Sequence, residues 1–270
     1  MNRPRRAALL GGLLAIAALA GGCSAPAQGA PDVEGQRFGL VTSLPIYRAP
    51  AGSVAEALGA GGQGETTHWL RAAIEAGNTL DPIDLIDAES LARTDFMLLI
   101  QPRALTPDEY VALDQWVRDG GRVLLVADPM LSSEPRFALG DPRNPQAISV
   151  TGPIHARWGL ELQGVPEENA QDHAYDHSGI DGDEAESQVR IGDHALPVVL
   201  GGSFAKRPPA GGDPADCALR HRSLVAVCAI GEGQAVLIAD ATLFERQSAA
   251  GDGPGIFWDL LGMFGDAPEK

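Results

Sequence analysis

The stretch ALTPDEYVALDQWVRDGGRVLLVADPML, residues 104–131, decides the fold class. It opens with a T-x-x-E capping box, in which Thr106 is the N-cap and Glu109 the third helical residue. A proline at the first helical position fits the same start, and Gly120 provides the stop. These signals predict a helix over residues 107–119 that leads directly into an apolar run.

Apolar runs lie on both sides of this helix. DFMLLIQ (95–101) and RVLLVA (122–127) are continuously hydrophobic rather than alternating, which is typical of parallel strands covered on both faces. With the helix they form a βαβ unit with a right-handed crossover. RFGLVTS (37–43) and PIDLID (82–87) predict further strands, and TTHWLRAAIEAG predicts a helix ending at Gly77. The chain is therefore predicted to be α/β with a mostly parallel sheet.

Two strands end in the same way. GRVLLVAD ends in Asp128, and GQAVLIAD ends in Asp240. If both are parallel members of one sheet, their carboxylates meet at its C-terminal edge, where open α/β sheets bind ligands. Either aspartate alone is more often a cap for the loop that follows. The repetition predicts a ligand or partner crevice, with Gln101 and Ser43 as nearby hydrogen-bonding groups.

Residues 1–22 have the pattern of a signal peptide, a basic start followed by a 14-residue apolar run. The run is too short to span a bilayer as a permanent helix. It ends in LAGGC, which resembles the lipobox of bacterial lipoproteins and indicates lipidation of Cys23; the alternative is ordinary cleavage further along. Residues 23–36 then predict a flexible tether. Ser24 resembles the outer-membrane sorting pattern, so the outer membrane is slightly favoured.

The charge of the chain excludes one class of partner. The formal net charge is −16, and removal of the leader, with its three arginines and no acidic residue, makes it −19. Nucleic-acid binding needs clustered Lys and Arg, so we exclude it. Anionic lipid head groups are repelled as well, so any membrane attachment must come from the anchor. Residues 37–265 remain for one α/β domain, in a chain that is 44% hydrophobic.

Two further cysteines flank the stretch CALRHRSLVAVC. This stretch predicts a hairpin turning at Arg222-Ser223, in which Cys217 and Cys228 face each other. An oxidising periplasm would favour a disulfide between them. The alternative is a pair of buried free thiols, because SLVAVCAI has the pattern of a core strand.

Two polar segments are candidates for ion binding. In QDHAYDHSGIDGDEAES, His173 and His177 are four residues apart among acidic residues, and on a helix such a pair could hold zinc or another divalent ion. The glycines, serines and acidic composition favour instead a mobile surface loop over residues 166–187. We expect neither a metal nor a cofactor. The Lys206-Arg207 pair could bind an anion, although the flanking Gly and Pro indicate a loop between strands.

FMLLIQPRALTPDEYVALDQWVRDGGRVLLVADPML resembles the GldG-like auxiliary domain associated with ABC transporters. That family has an apolar strand, a Pro, an acidic helix, a V-x-x-G-G turn and a terminal Asp-Pro. IHARWGLELQG, GEGQAVLIADATLF and GIFWDLLGMF are similar to its later segments, so the resemblance covers most of residues 37–265. It implies a three-layer flavodoxin-like sandwich, similar to class I glutamine amidotransferases, and an extracytoplasmic, non-catalytic role beside a transporter.

The same resemblance implies where a nucleophile would stand. In amidotransferases a cysteine occupies the sharp turn after the strand, and the alignment with VRDGGRVLLVADP places Ala127 there. Cys, Ser and Thr are absent from residues 126–131, whereas covalent acyl transfer needs an activated nucleophile beside a base. We expect no catalytic residue at this turn.

Two classes of function follow. The first is a non-catalytic, lipid-anchored periplasmic accessory or binding module of an ABC-type transport or cell-envelope system, with transporter membrane subunits or other envelope proteins as partners. The alternative is an atypical hydrolase or metal-dependent enzyme that uses Asp128, Asp240 and the loop with His173 and His177. A structural envelope protein without a ligand fits the sequence as well as the first class.

Overall fold

The structure is a computed structural model and describes residues 33–48, 67–132, 135–141, 143–164, 187–213, 215–248 and 252–268. The strands are β1 (Arg37–Thr42), β2 (Thr79–Pro82), β3 (Phe96–Ile100), β4 (Arg122–Val126), β5 (Leu160–Gln163), β6 (Ser187–Ile191), β7 (His194–Val198), β8 (Ser203–Lys206), β9 (Asp216–Arg220), β10 (Val225–Ile230) and β11 (Gly233–Ile238). The α-helices are α1 (Trp69–Glu75), α2 (Ala88–Leu91), α3 (Pro107–Arg118), α4 (Gly152–Arg157), α5 (Thr242–Glu245) and α6 (Gly253–Gly262), and a 3-10 helix covers Met263–Asp266.

Seven strands form the main sheet, in the order β2-β1-β3-β4-β11-β10-β9. The first five are parallel to one another. β10 pairs antiparallel with both β11 and β9, so the far side of the sheet is an antiparallel ribbon. The predicted α/β class, with a mostly parallel sheet and a β-hairpin near the C-terminus, is confirmed. Because β2 and β3 lie on opposite sides of β1, the topological switch point is between β1 and β3.

The centre of the sheet is apolar on both faces, as its continuous hydrophobic strands predict. Every residue of β3 is buried, and so is every residue of β4 after its first. Phe38 stacks on Phe96 with ring centroids 5.1 Å apart, and Phe257 of α6 packs against Phe38. α1 packs beside α6, whereas α3 packs beside α2 and α4. The sheet with these two groups of helices makes the three-layer sandwich.

The cap that begins α3 has the predicted geometry. The Thr106 hydroxyl accepts a hydrogen bond from the Glu109 N–H at 3.3 Å, and the Glu109 carboxylate accepts one from the Thr106 N–H at 2.8 Å. Glu109 also accepts the N–H of Ile86 at 3.1 Å and pairs with Arg103 at 2.7 Å. The same carboxylate therefore begins the helix and fastens it to the loop before α2.

One predicted strand is wrong. β2 covers Thr79–Pro82, and residues 83–87 form a loop rather than the strand predicted over 82–87. β2 pairs with β1 only as far as Pro82, and the last bond of the ladder runs from the Ile83 N–H to the Leu40 carbonyl at 2.8 Å. Asp87 is then the N-cap of α2, since its carboxylate accepts the N–H of Ser90 at 2.8 Å.

Candidate functional site

β4 and β11 bring two acidic side chains to one edge of the sheet. The two strands are parallel neighbours, with Val126 opposite Ile238. Asp128 and Asp240 each lie two residues beyond this pair, so they leave the sheet at the same C-terminal edge, as the sequence predicted. Asp128 is fully buried and Asp240 is 2% exposed.

Both oxygens of Asp128 accept backbone hydrogen bonds. Its Oδ1 accepts the N–H of Met130 at 2.8 Å, within the turn that follows β4. Its Oδ2 accepts the N–H of Ala241 at 2.8 Å, in the turn after β11. The Asp128 side chain thus caps the loop that follows its own strand, as a lone aspartate usually does. It also bonds the turn that follows the neighbouring strand β11.

Asp240 makes an equivalent set of bonds. Its Oδ1 accepts the N–H of Thr242 at 2.9 Å, at the start of α5. Its Oδ2 accepts the N–H of Val199 at 3.1 Å and the Thr242 hydroxyl at 3.3 Å. The residue therefore ties the segment after β7 to the end of β11.

Burial makes both carboxyls hard to ionise. Loss of hydration raises the pKa of Asp128 to about 6, against the lowering effect of its bonds to the N–H groups of Ala241 and Met130. Loss of hydration, with the negative charge of Asp128 second, raises the pKa of Asp240 to about 8. At neutral pH the pair therefore holds one proton, mainly on Asp240.

The switch point between β1 and β3 is occupied by Gln101, which has a left-handed φ of 42°. Its side-chain Oε1 accepts the N–H of Asp128 at 2.8 Å, while its Nε2 donates to the Asp128 carbonyl at 3.2 Å. The same Nε2 donates to the carbonyl of Gln146 at 2.8 Å. The amide group of Gln101 therefore forms hydrogen bonds with the backbone of two different loops.

Ser43 completes the predicted group at this edge. Its hydroxyl donates to the Gln101 carbonyl at 2.6 Å and accepts the N–H of Gln146 at 2.9 Å. Further along, the N–H of Ser149 donates to the Asp128 carbonyl at 2.8 Å. The four predicted residues are therefore brought together, and backbone from residues 146–149 covers them. Sequence reasoning missed this covering segment.

The turn after β4 is packed against the neighbouring strand. Ala127, the residue aligned with an amidotransferase nucleophile, is fully buried, and its N–H donates to the carbonyl of Ile238 at 2.8 Å. Its methyl group belongs to the hydrophobic core, and the chain reaches Asp128 and Pro129 without a nucleophilic side chain.

The predicted hairpin and disulfide are present. Cys217 of β9 lies directly opposite Cys228 of β10, and the two are joined by an S–S bond. The turn between the strands contains Arg222-Ser223, as predicted, and its residues 221–223 all have positive φ angles. The alternative of two free thiols is wrong for this pair.

Several predicted features lie outside the described residues. These are the leader 1–22, Cys23, the tether 23–36 up to residue 32, and His173 and His177 with all but the last residue of the loop 166–187. Where the structure does describe the chain, no helix is long and apolar enough to cross a membrane. In those same ranges no group of three or more His, Cys, Asp or Glu side chains is placed to hold a metal ion.

The chain is similar to several solved structures, including the following three. The mmIFT52 N-terminal domain is 13% identical with a TM-score of 0.48, over 87% of this chain and 99% of that domain. The exo-beta-1,4-mannosidase Op5Man5 from Opitutaceae bacterium strain TAV5 is 11% identical with a TM-score of 0.46, over 84% of this chain and 35% of the enzyme. Gan42B, a GH42 beta-galactosidase from G. stearothermophilus, is 9% identical with a TM-score of 0.43, over 87% of this chain and 30% of the enzyme.

No curated protein matches the chain. A family match does exist, and it extends from residue 52, which lies between β1 and α1 in the sequence, to residue 254 at the start of α6. This range includes both aspartates of the sheet edge, the disulfide and the covering segment 146–149. The chain belongs to the family described as Domain of unknown function (DUF4350).

Proposed function

We propose that this protein is a non-catalytic, lipid-anchored accessory or binding module on the periplasmic side of a bacterial membrane. It works with an ABC-type transporter or another cell-envelope assembly. The observation that carries this proposal is the internal use of Asp128 and Asp240. Each of their four carboxylate oxygens accepts a backbone N–H, so these acids hold loops together where an enzyme on this fold would present them to a substrate.

The turn after β4 supports the same conclusion. Amidotransferase-like chemistry needs a nucleophile there, and residues 126–131 contain no Cys, Ser or Thr. Ala127 stands at the corresponding position and is buried in the core. A fold of this class without its nucleophile fits a binding role.

The compartment is supported by two observations. The Cys217–Cys228 disulfide suits an oxidising environment such as the periplasm. Residues 1–22 have the pattern of a signal peptide that ends before Cys23. Lipid on Cys23 would hold the domain at the membrane surface, with the outer membrane slightly favoured. The resemblance to the GldG-like auxiliary domain supports a transporter as the partner.

The raised pKa values favour one competing function. Titratable groups with strongly shifted pKa values cluster at active sites, and Asp240, with a pKa of about 8, would be a competent general acid at neutral pH. A hydrolase or metal-dependent enzyme is therefore the second candidate. Turnover on ester, amide or phosphate substrates that is lost in Asp240→Asn, or stoichiometric metal in the purified protein, would favour it over the accessory role.

Affinity capture tests the accessory role. The full chain, tagged at its C-terminus, is recovered from membranes in mild detergent and the co-purifying proteins are identified by mass spectrometry. The matched control carries residues 1–36 fused to an unrelated folded domain, so it shares the leader and tether but lacks the α/β domain. We expect transporter or envelope-assembly subunits to be enriched with the full chain only. Equal recovery with both proteins contradicts the proposal.

A further inference from the structure

A cavity of about 390 Å³ lies beside the sheet edge, between α4, β5 and the segment after β8. Its size falls in the range of about 300–1,000 Å³ that is typical of small-molecule sites. It is separate from the Asp128 and Asp240 pair, although both adjoin Ser149, whose N–H bonds the Asp128 carbonyl. Its lining includes Ser149, His155, Glu161, Leu162, Arg207 and Pro208.

A chain of hydrogen bonds ends at the cavity wall. The Ser149 hydroxyl is 2.7 Å from the Thr151 hydroxyl, which is 3.2 Å from Nε2 of His155. His155 is 1% exposed, and its Nδ1 has no hydrogen-bond partner among the described residues. A buried ring nitrogen without a partner costs folding free energy and is uncommon in folded proteins. The bond of His155 to Thr151 orients the chain that reaches the half-buried Ser149 hydroxyl at the cavity, and this hydroxyl also accepts the Thr151 N–H at 3.4 Å.

An ion pair also lines the cavity. Nε of Arg207 contacts Oε2 of Glu161, and the two side chains are 56% and 48% exposed. Within the described part of the chain this contact uses one nitrogen and one oxygen, so the terminal guanidinium N–H groups and Oε1 of Glu161 can meet other partners. The sequence suggested an anion site at Lys206-Arg207. Because Glu161 neutralises Arg207, the Arg207–Glu161 pair instead presents one positive and one negative group side by side.

The charges restrict the class of ligand. The whole chain carries a formal charge of −16, which repels small anions. The local pair has no net charge that a simple anion or cation would compensate. A ligand with adjacent negative and positive groups can pair with both Arg207 and Glu161. Because such a ligand has no net charge, the negative charge of the protein does not repel it. Leu162 and Pro208 add apolar surface beside the pair.

We propose that this cavity binds a free amino acid. Its carboxylate lies against the terminal N–H groups of Arg207 and its ammonium against Glu161. An aliphatic side chain lies against Leu162 and Pro208, and the Ser149 hydroxyl supplies a further hydrogen bond. Binding here requires neither the lipid anchor nor a transporter partner, so it goes beyond the accessory role proposed above and stands or fails separately.

Isothermal titration calorimetry of the full chain in mild detergent tests the site, with L-leucine as the first probe and the other common amino acids in turn. 4-Methylpentanoate lacks the ammonium of leucine, and 3-methylbutylamine lacks its carboxylate. We expect saturable binding of at least one aliphatic amino acid and a loss of about tenfold or more for each truncated analogue, as for the removal of one charge-assisted contact. Failure of every amino acid to bind at millimolar concentration overturns the proposal, as does equal binding of the analogues.

Two exposed substitutions locate the site. Arg207→Gln and Glu161→Gln should each weaken binding by about tenfold, because each removes one of the two charges that the ligand meets. Arg93→Gln breaks another exposed ion pair, with Glu89, at a position outside this cavity, and should leave binding unchanged. Binding that survives both cavity substitutions, or that Arg93→Gln weakens equally, places the amino acid elsewhere and overturns the assignment.

Discussion

The carboxylate of Asp128 accepts a hydrogen bond from the N–H of Ala241 at 2.8 Å, across 113 residues of sequence. This bond joins the turn after β4 to the turn after β11. Asp240 makes a similar connection to Val199. N–H groups just beyond the last ladder bond of a strand have no neighbouring carbonyl, and a buried donor without a partner is costly. The two acids supply the missing acceptors, at the cost of their own hydration.

Stability should therefore fall as the pH rises. The folded protein holds the Asp240 proton more tightly than the unfolded chain does, with a pKa of about 8 against an ordinary 3.8. The contribution of this raised pKa to the free energy of unfolding is at its maximum below about pH 4 and is lost as the pH rises through about 8. Between pH 6.5 and 8 we expect the free energy of unfolding to drop by up to about 2 kcal/mol from this group.

Urea unfolding at pH 6.5 and at pH 8 measures that drop, and Asp240→Asn is the control because its amide does not titrate. The variant should show a smaller pH effect than the wild type. His194, whose pKa is raised by its contact with Asp259, contributes in the same direction but equally in both proteins, so it cancels in the difference. The same pH dependence in both proteins contradicts the assignment to Asp240.

Asp128→Asn should destabilise the protein at pH 8. An amide has one oxygen, whereas the carboxylate accepts the N–H groups of both Met130 and Ala241. One of these donors would face the new NH₂ group, and a buried unpaired donor costs about 1–3 kcal/mol. Chemical denaturation measures the loss. Asp141→Asn, which breaks only an exposed pair with Arg143, is the control and should change stability far less.

Local patterns were sufficient for the centre of the fold. The capping box and stop glycine gave the ends of α3 to within one residue, and continuous apolar runs gave β3 and β4 as buried parallel strands. The capping box and the stop glycine depend on residues that are close in sequence. The burial of the two strands follows from the hydrophobicity of their own residues. The same patterns placed Asp128 and Asp240 at one edge of the sheet. Parallel strands have their C-terminal ends at the same edge, and each of these aspartates directly follows such an apolar strand.

Contacts between distant segments could not be read in this way. The backbone N–H of Gln146 donates to the Ser43 hydroxyl across 103 residues, and every residue type except proline has such an N–H, so no sequence pattern marks Gln146. His155 stands alone in the sequence, and its edge-on packing against Phe204 forms only when α4 and β8 meet. The Arg207–Glu161 pair joins strands that no local periodicity predicts to be neighbours.

Removal of the disulfide should lower stability without changing the fold. Cys217 and Cys228 close a loop across 11 residues, and for so short a loop the loss belongs near the low end of the usual range, about 2 kcal/mol. Urea unfolding of Cys217→Ala with Cys228→Ala against the wild type measures it. Thiol titration of the unfolded, unreduced protein is the companion experiment, and reactive thiols at these two positions would contradict the bridge.

Cys23→Ala should release the protein from the membrane or leave an unprocessed precursor. A lipoprotein signal requires the thiol as the acceptor of the lipid, and alanine cannot take its place. Metabolic labelling with a radioactive fatty acid and membrane fractionation measure the outcome. Cys217→Ala with Cys228→Ala keeps Cys23 and should still be labelled. Normal processing and membrane attachment of Cys23→Ala would show that the protein is not held by lipid on this residue.

Substitutions at Gln101 should separate its backbone strain from its side-chain bonds. Its φ of 42° lies in the left-handed region, which costs about 1 kcal/mol or more for a residue with a Cβ, while its amide bonds the backbone of Asp128 and Gln146. Gln101→Ala loses the bonds and keeps the strain, so we expect a loss of about 1–3 kcal/mol. Gln101→Gly loses the same bonds but relieves the strain. Urea unfolding should therefore find the glycine variant at least as stable as the alanine variant, the reverse of their usual order in regular structure. A clearly less stable glycine variant would mean that the left-handed turn at the switch point is not strained.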